Sequence, residues 1–338
     1  MMRRAMIARR QVLAGLLGAC ASACAGAQRP PPASLGPPPL DVDPLVDLVP
    51  AAGLVWLIEV RPKELRASPS LATVLAAGAP DERLDAFARR YGGVDLRLAD
   101  QVAVAGQGRA TLGLARLPVE PRRVEDAFAM RARSVEGRAE EGGVTRYWGT
   151  VGDEREQVAT FGHDAVGIEF GGLGPLQAAI YFAQRRLKRS LPALRAEPLA
   201  TAAARLGEGP VRAFAPGPFD AEWAAGFGGL LGAATAVAAR LRAEDGGPAQ
   251  GGPLRLQLLL TGAWGPDAPA AAKRFAASFR LLAEDPFGRL TGLDRPVDGP
   301  VAIGEPDALA LDVVLDPVTM SRGVRAVAGA PLAEIMAF

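Results

Sequence analysis

The sequence predicts an α+β fold of two related modules, each a mainly antiparallel sheet covered by helices on one face. The same order of strand, helix, strands, helix and strands recurs in both halves of the chain, which indicates a repeated unit. Turn-forming residues, Gly152-Asp153 and Gly162-His163-Asp164, separate successive strands as in an antiparallel meander. Phe275 and Phe279 lie one helical turn apart and give a helix an apolar face that can pack on such a sheet.

The first module spans residues 50–208 and is predicted to begin with an apolar strand at 54–60. Strand-like apolar runs predict the later strands, and a turn at Pro118 precedes the second helix. These elements are a helix at 68–91, strands at 101–106 and 110–117, a helix at 120–133, and strands at 144–151, 157–161 and 165–170.

The second module spans residues 209–338. It is predicted to contain a strand at 211–215, a long helix at 220–243, a strand at 254–261, a helix at 266–284, and strands at 300–303 and 309–315. The apolar run 223–239 includes Gly228 and Gly232, a pair that also occurs where membrane helices pack. Alanine and glycine give this run less hydrophobic bulk than a membrane span of about 20 residues needs, so a core helix is predicted.

The first 19 residues are predicted to be an export signal. Arg3, Arg4, Arg9 and Arg10 precede an apolar run at 12–19, which is much shorter than the roughly 20 residues that span a bilayer. Leu17-Gly18-Ala19, followed by Cys20, resembles the bacterial lipobox. The resemblance implies that Leu17, Gly18 and Ala19 are recognised by the lipoprotein signal peptidase. It also implies that Cys20 receives a diacylglyceryl group and becomes the first mature residue.

Other interpretations of this leader remain open. Ala25-Gly26-Ala27 is a site of the ordinary A-x-A kind, whose cleavage would release a soluble periplasmic protein. Cys24 is a poorer lipobox cysteine because Ala21-Ser22-Ala23, directly before it, lacks the leucine. Arg9-Arg10 resembles the twin-arginine export signal, which competes with general secretion. Ala21, instead of aspartate, after Cys20 favours the outer membrane by analogy with enteric bacteria.

Residues 20–49 are predicted to be a proline-rich spacer, unpacked as far as Pro44. Pro30-Pro31-Pro32 and Pro37-Pro38-Pro39 favour an extended, solvated chain because proline fixes the backbone and removes donors. Both cysteines of the chain lie at or before residue 24, so no disulfide or thiolate site is predicted in the folded part. The net charge of +1 provides no electrostatic attraction for nucleic acid.

The layout of the chain resembles that of a known group. A lipobox, a proline-rich spacer, Val49-Pro50-Ala51-Ala52 before an apolar strand, and Ser68-Pro69 at a helix start are similar to a group of uncharacterised predicted lipoproteins from GC-rich bacteria. The resemblance implies envelope placement and an α+β body, and it implies no activity.

No catalytic, cofactor or metal site is predicted. Gly106 and Gly108, like Gly171, Gly172 and Gly174, follow strands, but neither set matches a phosphate-binding fingerprint. His163 is the only histidine and is predicted to lie in a turn. Glu169 and Asp312 alternate with apolar residues and are predicted to lie on solvated sheet faces.

These observations predict a non-enzymatic, lipid-anchored envelope protein that acts by binding or scaffolding. Its predicted partners are the membrane, through the N-terminal lipid, and another envelope protein. Two alternatives remain. One is an envelope hydrolase that uses paired carboxylates, which sequence spacing does not show. The other is a soluble periplasmic binding protein, which would carry a large apolar cavity.

Overall fold

Twelve antiparallel strands form one continuous sheet in a computed structural model that describes residues 40–172, 174–186, 191–244 and 251–329. The strands are β1 (Leu54–Val60), β2 (Gln101–Gln107), β3 (Ala110–Arg116), β4 (Ser134–Glu141), β5 (Val144–Val151), β6 (Glu154–Phe161), β7 (Ala165–Phe170), β8 (Val211–Pro216), β9 (Ala234–Ala243), β10 (Leu254–Gly262), β11 (Asp298–Glu305) and β12 (Ala308–Leu315). Their order across the sheet is β11-β12-β10-β9-β8-β1-β2-β3-β7-β6-β5-β4. The predicted α+β class and antiparallel sheet are confirmed.

Helices connect these strands. They are α1 (Pro62–Ala67), α2 (Pro69–Gly78), α3 (Asp81–Arg90), α4 (Pro121–Arg131), α5 (Pro175–Ala183), α6 (Leu199–Leu206), the short α7 (Ala221–Ala224) and α8 (Gly226–Gly229), α9 (Ala268–Glu284), α10 (Pro286–Thr291) and α11 (Pro317–Gly329). Many begin with proline as one of the first two helical residues. The N–H that proline lacks would have no hydrogen-bond acceptor within the helix at these positions.

The two halves of the sheet share a connectivity. In each half the first strand is followed by helices and two hairpin strands, and the last strand pairs with the third: β7 with β3, and β12 with β10. The first strands of the halves, β1 and β8, pair with each other at the centre of the sheet. The predicted boundary between residues 208 and 209 therefore lies within one continuous sheet, between α6 and β8.

Helices pack on both faces of the sheet. The face that carries Leu57, here the Leu57 face, is covered by α5 and α6, whose residues Leu176 and Leu206 share a core cluster with Leu57. The opposite face, here the Ile58 face, is covered by α1, α2 and α9 over the second half of the sheet and by α4 over the first.

The predicted helix at 220–243 is wrong. Only the short α7 and α8 precede residue 230, and the second part of this segment is strand β9. Phe227 and Gly228 have positive φ values of 49° and 67°, which end a helix. Alanine favours helix in isolation, but β9 pairs with β8 on one side and β10 on the other. Pairing on both edges outweighs the local preference of the alanines.

The predicted helix at 68–91 is two separate helices, α2 and α3, and the unpredicted helix α1 precedes them. Pro69 marks the break between α1 and α2, and Pro80 marks the break between α2 and α3, because a residue that precedes proline is disfavoured in the helical conformation. The strand β4 and the helices α6 and α11 are further elements that the sequence patterns did not predict.

The end of the predicted spacer is packed, which corrects its extent. Leu45, Leu48 and Val49 are buried in the core cluster of the Leu57 face, and the Asp41 amide donates to the carbonyl of Ala183, 2.9 Å away. Four of the five residues after Pro44 are apolar, which explains this burial. The described body therefore begins by residue 40.

Candidate functional site

An apolar cavity of about 180 Å³ lies on the Ile58 face between the sheet and α3. Strands β2, β3 and β7 form its floor, and α3 and the 3₁₀ turn Leu96–Leu98 lie over it. Eleven residues line the cavity, and Thr111 is the only polar one among them: Phe87, Leu96, Val102, Val104, Thr111, Gly113, Leu114, Ala115, Val166, Ile168 and Phe170.

A missing side chain contributes to the cavity. Gly113 lies in the floor on β3, and a Cβ atom added there would have one heavy atom within 4 Å, the Ile168 carbonyl oxygen at 3.9 Å. Protein cores normally fill such space. The open position beside Gly113 is therefore room that another molecule can occupy.

The helix above the cavity is held mostly by polar contacts. No residue of α3 is buried, and Phe87 is only partly buried against the core beneath it. Arg97, in the neighbouring 3₁₀ turn, contacts the Asp85 carboxylate of α3 at 2.5 Å and the Asp95 carboxylate at 2.7 Å. Hydrogen bonds from Arg97 keep the pKa of Asp95 below its usual value, although burial opposes this shift.

A charged cluster closes the end of α3. The guanidinium of Arg131 lies 4.4 Å from the ring centre of the buried Tyr91 and donates to the buried Glu156 at 2.6 Å. Burial, and then the charge of Glu156, raise the pKa of Tyr91. Glu156 is the register partner of Phe170, which lines the cavity, so the apolar space ends at this ion pair.

Glu169 is buried, not solvated as the sequence predicted. It lies on the Leu57 face under α5 and accepts hydrogen bonds from the amides of Gly174 at 3.0 Å and Leu176 at 2.7 Å. Gln157 also donates to it, at 3.1 Å. Burial raises the pKa of Glu169 in spite of these hydrogen bonds. Alternation correctly placed this residue opposite Ile168, but α5 covers both kinds of position.

The hydrogen bonds to Glu169 explain why the glycine-rich segment after β7 is not a phosphate-binding loop. Gly174 is the N-cap residue of α5. At such a helix N-terminus, backbone N–H groups can donate hydrogen bonds to a bound phosphate. The Glu169 carboxylate already accepts those hydrogen bonds. The glycine segment is thus a strand-to-helix connection fixed by an internal carboxylate.

His163 lies in the turn between β6 and β7, as predicted, and its Nδ1 is 3.1 Å from the Val119 carbonyl oxygen. It borders a depression of about 400 Å³ that also contains Glu125 and Tyr147. Glu125 accepts from Arg138 at 3.1 Å and from the Tyr147 hydroxyl at 2.9 Å. Burial, and then this hydrogen bond, raise the pKa of Tyr147 to about 12. These side chains are engaged with one another.

The structure does not bring Glu169, Asp312 and His163 together. Asp312 lies on β12, where it is 3.6 Å from Arg255. Seven strand spacings separate β12 from the Glu169 strand β7, or about 34 Å at about 4.8 Å per strand. Within the described ranges, no group of three or more His, Cys, Asp or Glu side chains is placed to hold a metal ion.

The predicted lipidation residue Cys20, the recognition residues Leu17, Gly18 and Ala19, and the export residues Arg9 and Arg10 lie outside the described residues. So do the alternative sites at Cys24 and Ala25-Gly26-Ala27. In the part of the chain that is described, no helix combines the length and apolar character needed to cross a membrane.

No protein-family model matches the chain, and no curated protein matches it. Two solved structures are similar to it. Crystal form I of TP0453 is 12% identical, with a TM-score of 0.46 over 85% of this chain and 98% of that chain. Crystal form IV of TP0453 is 9% identical, with a TM-score of 0.44 over 83% and 96% of the two chains.

Proposed function

We propose that this protein is a lipid-anchored, non-enzymatic protein of the cell envelope that binds an apolar ligand in the cavity beneath α3. The cavity itself carries the proposal, because its lining combines ten apolar residues with Thr111. Such a lining offers a ligand almost no hydrogen bonds. It stabilises a bound group by removing apolar surface from water, at about 25 cal/mol per Å².

The way α3 is held supports binding. A helix with no buried residue loses little apolar contact when it shifts, so a ligand can enter beneath it at a modest cost in free energy. The salt bridges of Arg97 return the helix to its place over the cavity. This arrangement serves reversible binding better than a permanently filled core does.

The envelope placement rests on the leader and the composition. The lipobox resemblance at 17–20 and the arginines at 9 and 10 support export and lipid attachment, with the outer membrane favoured by Ala21. The prolines between residues 30 and 39 favour an extended tether between the lipid and the body. A membrane-tethered protein with an apolar cavity is well placed to exchange an apolar ligand with the bilayer.

The binding proposal is tested with a dansyl-labelled fatty acid, whose fluorescence rises in an apolar site. Gly113→Leu fills the cavity from its floor, where there is room for a side chain, and we expect at least tenfold weaker binding. Gly299→Leu is the matched control. Gly299 lies on β11, far from the cavity, and an added Cβ there meets no atom within 4 Å.

Equal binding by the Gly113→Leu variant and the wild-type protein would overturn the cavity as the site. Circular dichroism and urea unfolding of both variants establish that each one is folded. Failure of the wild-type protein to bind the probe would overturn the proposed function itself.

A further inference from the structure

We infer that the ligand beneath α3 is an acyl compound. Its hydrocarbon part fills the cavity, and its carbonyl or carboxylate oxygens accept hydrogen bonds from Thr111 and Trp56 at one edge. This inference rests on the proposed function and adds the polar group that the ligand carries. It also assigns two residues that determine specificity.

The polar residue of the cavity lies at its edge. The lining crosses three successive rows of register partners on the Ile58 face. The first two rows are apolar and consist of Val102, Ala115 and Val166, followed by Val104, Gly113 and Ile168. The third row contributes Thr111 and Phe170. The hydroxyl of Thr111 is therefore at one end of an otherwise apolar space.

The indole of Trp56 lies beside Thr111. Gly106 is the β2 residue of the third row and is the register partner of both Thr111 and Trp56. A Cβ atom added to Gly106 would be 2.3 Å from Trp56 Nε1, so the indole nitrogen occupies the place of the missing side chain. Because Cβ atoms of register partners lie about 4.5–5.5 Å apart, Trp56 Nε1 is within about 8 Å of the Thr111 Cβ. Two hydrogen-bond donors are thus close together at this edge.

Both donors are available to a ligand. Neither the Thr111 hydroxyl nor the Trp56 N–H is hydrogen-bonded to any residue that the structure describes. Both side chains are partly buried, so a ligand oxygen bound to them keeps some contact with water. The charged groups nearby are different, because Arg97, Arg131 and Glu156 are engaged in ion pairs.

The chemistry of the two donors determines the polar group of the ligand. An indole nitrogen can only donate a hydrogen bond, whereas a hydroxyl can donate or accept one. A group that binds both must therefore provide acceptor atoms. A carboxylate or an ester has two oxygens, and two hydrogen bonds of about 2.8 Å each to these oxygens span the distance between the donors. An ammonium group has no acceptor and gains nothing from Trp56.

The volume of the cavity limits the hydrocarbon part. An apolar cavity of about 150 Å³ can bind benzene, and the cavity beneath α3 has a similar volume of about 180 Å³. This space has room for a short acyl chain or for the end of a longer one. Toluene has a similar size and no acceptor oxygen, so its binding reports on the cavity alone.

The test is displacement of the dansyl-labelled fatty acid from the full chain by octanoate, octylammonium and toluene. The wild-type protein should bind octanoate at least tenfold more tightly than octylammonium. Thr111→Val and Trp56→Phe each remove one donor and keep most of the side chain. We expect each variant to weaken octanoate binding by about three- to tenfold, the usual contribution of one hydrogen bond. Toluene binding should stay unchanged, which also shows that the variant is folded.

Methyl octanoate is the fourth ligand and separates an ester from a free acid. The tighter binder of octanoate and methyl octanoate identifies which of the two acyl compounds the site prefers. The loss of affinity in Thr111→Val and Trp56→Phe must then appear for that compound.

Two matched controls lie elsewhere in the sheet. Trp148 lies over Gly137 as Trp56 lies over Gly106, and Thr145 is a partly buried threonine of β5. Trp148→Phe and Thr145→Val remove the same chemical groups away from the cavity. Both variants should bind octanoate and toluene like the wild-type protein.

Three results would refute the hydrogen-bonding edge while the cavity stands. The first is acyl binding that neither Thr111→Val nor Trp56→Phe weakens, and the second is octylammonium binding as tight as octanoate binding. The third is an equal loss of octanoate and toluene binding, because it indicates disturbed packing instead of a lost hydrogen bond. If the wild-type protein binds neither the dansyl-labelled probe nor toluene, the proposed function fails as well.

Discussion

The indole of Trp56 lies directly over the α-carbon of Gly106 on the neighbouring strand. A Cβ atom added to Gly106 would be 2.3 Å from Trp56 Nε1 and 2.5 Å from Cε2, closer than any real contact. Gly106 and Trp56 are register partners on the Ile58 face. The absence of a side chain at residue 106 therefore sets the position of the indole.

We predict that Gly106→Ala destabilises the protein by about 1–3 kcal/mol, the usual cost of overpacking a well-filled site. Urea unfolding of the variant measures this change. Gly299→Ala is the control, since an added Cβ there meets no neighbour within 4 Å, and it should change stability by less than about 0.5 kcal/mol. Equal stabilities of the two variants would show that Trp56 moves aside freely.

We predict that Glu169→Ala destabilises the protein by about 1–3 kcal/mol and loosens α5. The substitution leaves the amides of Gly174 and Leu176 and the side chain of Gln157 without their acceptor, and unsatisfied buried donors carry a cost of this size. Hydrogen exchange should become faster at these two amides. Unchanged exchange there would mean that water replaces the carboxylate.

The raised pKa of Glu169 also predicts a pH dependence. Because the folded protein binds this proton more tightly than the unfolded chain does, the contribution of Glu169 to stability is greatest below the ordinary pKa of 4.5. It decreases as pH rises from there through the raised pKa. Glu169→Gln removes the titrating group. The difference in unfolding free energy between wild type and Glu169→Gln should therefore shift against the wild type over this range, and a constant difference would contradict the raised pKa.

The buried pair Glu59 and Arg212 joins the two halves of the sheet. Arg212 Nε donates to Glu59 Oε2 at 3.0 Å across the β1–β8 pairing, and the two residues are 5% and 3% exposed. We predict that Arg212→Met costs about 3 kcal/mol because it leaves Glu59 buried, with Arg61 at 3.6 Å as partial compensation. Adding Glu59→Leu should recover most of this loss. A double-mutant cycle in urea measures the coupling, and additive effects would show that the pair contributes nothing.

Lipid attachment gives a prediction for the leader. We predict that Cys20→Ala abolishes incorporation of a radiolabelled fatty acid and moves the protein from the membrane fraction to the soluble fraction of the envelope. Cys24→Ala, the matched control, should be labelled and fractionate like the wild-type protein. Loss of label in Cys24→Ala alone would move the lipidation site to residue 24.

Regular patterns in the sequence predicted much of the fold. Strands 54–60, 144–151 and 165–170 match β1, β5 and β7. Their Val, Ile, Tyr and Phe residues favour the β conformation, and the sheet places them in that conformation. The strand β9 was missed because alanine carries a helical preference that only its two neighbouring strands outweigh. Strand β4 was missed because half of its residues are charged and it lies at the edge of the sheet. The charges discourage pairing with another chain, and they leave no alternation of apolar and polar residues by which to predict a strand.

The candidate site was beyond sequence reasoning for a different reason. The cavity is formed by residues of β2, β3, β7 and α3, and no local pattern shows that Gly113 and Phe87 line the same space. The signal that was available is Gly113 itself, a glycine within an otherwise apolar strand, where a close approach or an open space is expected. The burial of Glu169 was missed because alternation identifies a face of the sheet but not the helix that covers it.

The ion pair between Glu59 and Arg212 has a consequence for the chain during synthesis. Residues of β1 are made long before those of β8, so one edge of β1 stays open while the first half folds, and open edges pair readily with other chains. A charge that points inward from an edge strand is one of the devices that discourage such pairing. Until Arg212 is made, Glu59 keeps a carboxylate on this edge of the nascent sheet with only Arg61 beside it, and that charge discourages pairing with other chains.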